Sequence, residues 1–74
     1  MKQLKEMQEN IKNEKVEVER HGIKIIMNGR FEIESIELNP QLEQELQEKA
    51  IKECFNEAVR KTQMAVAQKF SGLL

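Results

Sequence analysis

Between Lys15 and Leu38 apolar residues recur at every second position, and two dipeptides, His21-Gly22 and Asn28-Gly29, break the beat. A period of two sends successive side chains to opposite faces of a strand, so this stretch predicts three short strands joined by tight turns. His21-Gly22 suits a two-residue turn, because Gly enters positive φ freely and His is among the side chains enriched there. That turn pairs Arg20 with Ile23, Val18 with Ile25, Val16 with Met27 and Glu19 with Lys24, which puts apolar residues on one face and an opposite-charge pair on the other. For the second turn, a two-residue loop would mix the faces. A three-residue loop closing with Gly29 in a left-handed bulge instead pairs Ile25 with Phe31, Ile23 with Ile33 and Lys24 with Glu32. The expected product is an antiparallel meander whose apolar face holds Val16, Val18, Ile23, Ile25, Met27, Phe31 and Ile33.

The segment RFEIESIELNP does not fit that face throughout. Phe31 and Ile33 keep one phase, and after Ser35 the residues Ile36 and Leu38 keep the other. Together with Ile26 they make a second apolar set on the opposite face. Either a local bulge turns Ile36 and Leu38 back to the core, or another polypeptide lies over them.

Helical periodicity flanks the strands. Leu4, Met7 and Ile11 fall on one stripe of a polar segment, which predicts a helix over residues 1–13 that needs a partner to hold it. Asn39-Pro40 reads as a cap followed by a first helical residue, opening a helix over 40–70. Its stripe runs through Leu46, Ala50, Ile51, Cys54, Phe55, Ala58, Val59, Thr62, Val66 and Phe70. Such a helix is on the order of 43 Å long, whereas a six-residue strand covers about 20 Å. Half of it overhangs the sheet and still carries Val66 and Phe70, which therefore have to meet the first helix, a second chain, or both.

The 74 residues make one domain, 1–74, with 39% hydrophobic and only 4% aromatic content. A chain this short struggles to bury enough apolar surface alone, so self-association is expected. The single cysteine, Cys54, rules out an internal disulfide and suits a reducing compartment. No apolar run is long enough to span a membrane and no signal-peptide pattern is seen, so a cytoplasmic protein is expected. His21 sits in a turn, and Cys54 lies on an apolar stripe with no histidine at helical spacing. All three glycines are assigned to turns and a helix end, so no phosphate loop exists. Neither catalysis nor a cofactor, metal or small-molecule substrate is expected.

Net charge is −1, so charge alone does not make this chain a nucleic-acid coat. Lys49, Lys52 and Arg60 share one face of the long helix with Asn56 between them, and Lys61 and Lys69 lie on an adjacent strip. On spacing alone, with Glu48, Glu53 and Glu57 nearby, these read as an ion-paired solvated surface. Residue physics by itself therefore stops at a small α+β interaction module that dimerises.

The order of signals adds more. Asn28 and Gly29 at the hairpin, Ile36 to Pro40 at the strand-to-helix junction, and Phe55, Asn56, Glu57, Ala58, Val59, Arg60 and Lys61 in the helix resemble the YbaB/EbfC family of bacterial nucleoid-associated proteins. The resemblance implies an α-β-β-β-α fold: the helix over 1–13, three strands over 15–38 and the helix over 40–70. It implies two layers, assembled as a tweezers-like homodimer that binds duplex DNA through phosphates with low sequence specificity, in nucleoid organisation or gene regulation. Projecting helices would supply Lys2, Lys5, Lys12, Arg60, Lys61 and Lys69 to DNA, and Ile26, Ile36, Leu38, Val66 and Phe70 would meet the second subunit. The chain departs from the family in having Asn39 where Asp is usual, in a segment after Pro40 about three residues short, and in lacking a Gly-, Met- or Pro-rich terminal tail. The rival expectation is a protein-interaction adaptor that uses the apolar helix seam or the acidic sheet face and binds no DNA.

Overall fold

The computed structural model describes residues 13–73, with side chains to Lys69. The helix expected over 1–13 lies outside these residues but for Asn13, as do Lys2, Lys5, Lys12 and the side chain of Phe70. Three strands, β1 (Lys15–Arg20), β2 (Ile23–Asn28) and β3 (Ile33–Glu37), form an antiparallel sheet in the order β1-β2-β3. One long helix, α1 (Gln44–Leu73), packs across β1 and β2. The fold is α+β in two layers.

The first hairpin has the expected register at every position, with Val18 across from Ile25 and Glu19 across from Lys24. His21 and Gly22 both take positive φ, 54° and 82°, as a two-residue turn matched to the strand twist requires. The other face of this hairpin carries Glu17 and Glu19, with Lys24 Nζ 2.7 Å from Glu17 Oε1.

The second hairpin differs from expectation. Its loop has three residues, but they are Gly29, Arg30 and Phe31. The left-handed position is held by Phe31, at φ 63°, and not by Gly29. Asn28 makes this possible. It is buried, its carbonyl accepts the Phe31 N–H at 2.9 Å, and its side-chain Oδ1 accepts the N–H groups of Arg30 at 2.9 Å and Glu32 at 3.3 Å. Three bonds to one residue offset the cost of a non-glycine residue in that region.

The register of β3 shifts accordingly. Met27 pairs with Ile33 and Ile26 with Ser35, which leaves Glu34 as the extra residue of a bulge, and Ile25 then pairs with Ile36. The bulge absorbs the phase slip. Ile33 and Ile36 both face the helix side, and by the same alternation so does Leu38. Ile36 and Leu38 are therefore not on the outer face with Ile26, as the unbroken alternation had put them. Ile26 alone stays there, between Glu17 and Ser35.

The expected helix start at Pro40 is also corrected. The Asn39 carbonyl accepts the Leu42 N–H at 3.2 Å, and its side-chain Oδ1 accepts the Gln41 N–H at 3.1 Å, so Asn39-Pro40 opens a β-turn. That turn delivers Leu42 to the edge of the core, and the Gln47 N–H to Glu43 carbonyl bond at 2.8 Å then starts α1.

The core is Val18, Ile23, Ile25 and Met27 from the sheet against Ala50, Cys54 and Ala58 from the helix. Small residues four apart let the helix backbone approach the sheet closely, so that the larger strand residues fill the space. Full burial of each large aliphatic side chain contributes about 1.5–3 kcal/mol. With 30 residues, α1 is about 45 Å long. Its distal turns run past the strands, and the chain measures 49 Å along its longest axis.

Candidate nucleic-acid interface

Because α1 buries the narrow stripe Ala50, Cys54, Ala58 and Thr62, its opposite side is turned fully to solvent. At about 100° per residue, Lys52, Gln63, Asn56, Lys49 and Arg60 fall within one outward arc of about 80°. All five are exposed, and none has a hydrogen-bond or ion-pair partner among the described residues. Glu45 and Glu48 stand one turn before Lys49 and Lys52, at a spacing that permits pairing, yet neither pair closes to 4 Å among the described residues. Glu57 is the last acidic residue of the chain, so the distal helix carries Arg60, Lys61 and Lys69 with no acid of its own.

The other helix cations are engaged. Lys61 Nζ lies 3.8 Å from Glu57 Oε1, and Lys69 Nζ lies 3.1 Å from Glu14 Oε2. Glu57 chiefly serves Arg20, whose Nε donates to Glu57 Oε2 over 2.8 Å and ties the end of β1 to the helix. That hydrogen bond holds the Glu57 carboxyl below the usual carboxylate range and raises the Arg20 guanidinium. Of the cations singled out in the sequence, Arg60 joins the unpaired arc, Lys61 and Lys69 lie beside acids, and Lys49 and Lys52 take the places next to Arg60. Spacing had read those two as ion-paired. Only the tertiary arrangement shows which carboxylates are already occupied.

Charge separates across the layers. The outer sheet face exposes Glu17, Glu19 and Glu37, and Lys15 Nζ there lies 3.1 Å from Glu34 Oε1. Lys24 on this face is likewise taken up by Glu17, so its cations are paired while its acids outnumber them.

A second surface is apolar. Every residue of β3 is exposed, including Ile33 and Ile36, because α1 covers only β1 and β2. Glu57 marks the helix flank above β1. Roughly half a turn around, on the flank toward β3, lie Phe55, Val59 and Val66, with Phe55 40% exposed. The apolar helix flank and the exposed apolar residues of β3, an edge strand of the sheet, lie on the same side of the sheet.

Neither surface resembles a catalytic centre. His21, Leu42, Leu46, Lys49, Ala50 and Glu53 line a shallow cleft of about 320 Å³ at the helix start, with no nucleophile in it. Cys54 is buried, its thiol donates to the Val18 carbonyl at 3.3 Å, and burial pushes the thiol up from its ordinary value. Among the described residues no three His, Cys, Asp or Glu side chains gather as a metal site, and no helix is long and apolar enough to cross a membrane. Compared with known families, residues 1–74 match the YbaB/EbfC DNA-binding family across the whole chain.

Proposed function

The chain belongs to the YbaB/EbfC DNA-binding family, a nucleoid-associated family not known for catalysis, and we propose that it acts as a homodimer that holds duplex DNA against the outer face of α1. The observation that carries this reading is the arc of Lys49, Lys52 and Arg60, three cations without partners among the described residues, beside an acid-free distal helix. Phosphates supply the missing counter-charges, and each cation that neutralises one releases a condensed counterion. Lys61 and Lys69, which stand beside Glu57 and Glu14 about 140° round the helix from the arc, are proposed as secondary contacts, and Lys2, Lys5 and Lys12 as further ones. With no tyrosine or tryptophan in the chain, stacking on bases is a poor alternative, which favours duplex over single strands. Contacts dominated by phosphate give low sequence specificity, as suits nucleoid organisation or broad control of expression in the cytoplasm.

The homodimer follows from β3. Ile36 and Leu38, with Val66 from the helix, are proposed to face the second subunit, and Phe70 and Ile26 are proposed at its margins. In this reading the dimer carries the Lys49, Lys52 and Arg60 arc twice.

The experiment is a fluorescence-anisotropy titration of labelled random-sequence duplex at several salt concentrations. Wild type is expected to bind with a log–log salt slope of about −0.9 for each phosphate neutralised. The variant Lys49→Ala/Lys52→Ala/Arg60→Ala should bind at least about ten-fold more weakly, with a shallower slope. Equal affinity and slope for the two proteins overturns the site. Absence of duplex binding by wild type, with capture of a discrete protein partner, supports the adaptor instead.

A further inference from the structure

The outward arc of α1 holds more than cations, and the position of its two amides within it is the useful observation. Going round the helix at about 100° per residue, Lys52 stands at one border and Lys49 and Arg60 at the other. Asn56 and Gln63 lie between them, exposed and without a hydrogen-bond partner among the described residues. Their Cα atoms are about 10 Å apart along the axis, the rise of three base pairs. Glu48 and Glu53 fall outside the arc. Glu45 falls inside it, about 16 Å along the axis from Asn56 and beyond Lys49.

We propose that α1 lies in the major groove of duplex DNA, with Lys49, Lys52 and Arg60 on the phosphate walls and Asn56 and Gln63 reading base edges between them; this rests on the DNA-binding reading above. Geometry selects the groove. A helix with its side chains is about 10–12 Å across, which matches the roughly 12 Å major groove and exceeds the roughly 6 Å minor groove. Chemistry selects the bases. A carboxamide offers one donor and one acceptor side by side, the complement of the adenine N6 donor and N7 acceptor on the major-groove edge. Cations at the borders set register and supply affinity, and the central amides add a modest preference for adenine at two positions about three base pairs apart.

The test is selection of duplexes from a random library by the full-length wild type and by Asn56→Ala/Gln63→Ala, followed by anisotropy titration of the enriched and the random duplex. Both substitutions are exposed and favour helix, so the fold is retained. Wild type is expected to prefer the enriched, adenine-containing duplex by about ten-fold or more. The double variant should keep the wild-type salt slope, which reports phosphate contacts, and bind the enriched and the random duplex equally. Wild-type binding without any preference, or a preference that survives in the double variant, overturns base reading and leaves phosphate binding intact. No duplex binding at all overturns the DNA reading and this inference together.

Discussion

Ile25 and Ile36 are Cα partners across β2 and β3 and point to the same face of the sheet, yet Ile25 is 0% exposed and Ile36 is 46% exposed. The helix covers one and stops short of the other. Ile33, Leu38 and Phe55 share the uncovered surface at 44%, 53% and 40% exposure. The proposed homodimer would cover this patch along the edge strand with a second copy.

Ile36→Lys should separate the subunits without unfolding either one, since the side chain is already half in solvent. In the wild type, thermal midpoints should rise with protein concentration, as they do when dimerisation is coupled to folding. In the variant the midpoint should be independent of concentration and the far-UV circular dichroism unchanged. A concentration-dependent midpoint in Ile36→Lys would remove β3 from the interface.

The first turn is locked from outside. Asn39 donates its side-chain N–H to the His21 carbonyl over 3.0 Å, and a Cβ added to Gly22 would meet Asn39 Nδ2 at 2.7 Å. Gly22→Ala should destabilise by about 1–2 kcal/mol, from the positive φ together with that contact. Combined with Asn39→Ala, the loss should be less than the sum of the two single losses, because the two changes share one contact. Denaturant midpoints of the four proteins measure this, and strict additivity would contradict it.

Glu57 links stability to pH. Its folded carboxyl is held below the ordinary value by the Arg20 hydrogen bond, so protons bind the unfolded chain more readily. The contribution is complete above the unfolded carboxylate value and disappears as pH falls through the lower folded value. The stability gap between wild type and Glu57→Gln should therefore be constant near neutrality and shrink below about pH 4.5, the ordinary value for this group. Thermal melts from pH 7 to pH 3 provide the check; a gap that widens on acidification reverses the sign and refutes the assignment.

Thr62 carries a buried hydroxyl whose Oγ1 has no hydrogen-bond partner among the described residues. Thr62→Val keeps the shape and removes the unsatisfied group. It is expected to stabilise the protein by about 1 kcal/mol, or roughly 4–8 °C in thermal midpoint for a domain of this size. A loss of stability would show that the hydroxyl has a partner in solution.

The first hairpin was readable residue by residue, because His21-Gly22 and strict alternation admit one register. The second was not. Its left-handed position went to Phe31, which local propensity disfavours, and only the buried Asn28 side chain, bonded to Arg30 and Glu32, makes that loop hold. The slip after Ser35 was visible and had two readings; the bulge at Glu34 accounts for it, while the strand stays exposed because α1 covers only β1 and β2. Asn39-Pro40 reads as a helix cap; its use as a turn, with Asn39 bonded to His21 far away in sequence, leaves no local signal. At the candidate site, the grouping of Lys49, Lys52, Asn56 and Arg60 followed from helical spacing. Which cations were already neutralised depended on Arg20 and Glu14 arriving from other parts of the chain, and spacing within one helix carries no such information.

Sedimentation equilibrium of the wild-type chain at micromolar concentration tests whether two copies join. A mass twice the 8.7 kDa of one chain is expected, falling to one chain only on strong dilution. A folded species of 8.7 kDa that persists across the micromolar range would mean that the exposed face of β3 needs no second copy, and the dimeric scheme for holding DNA would fall with it.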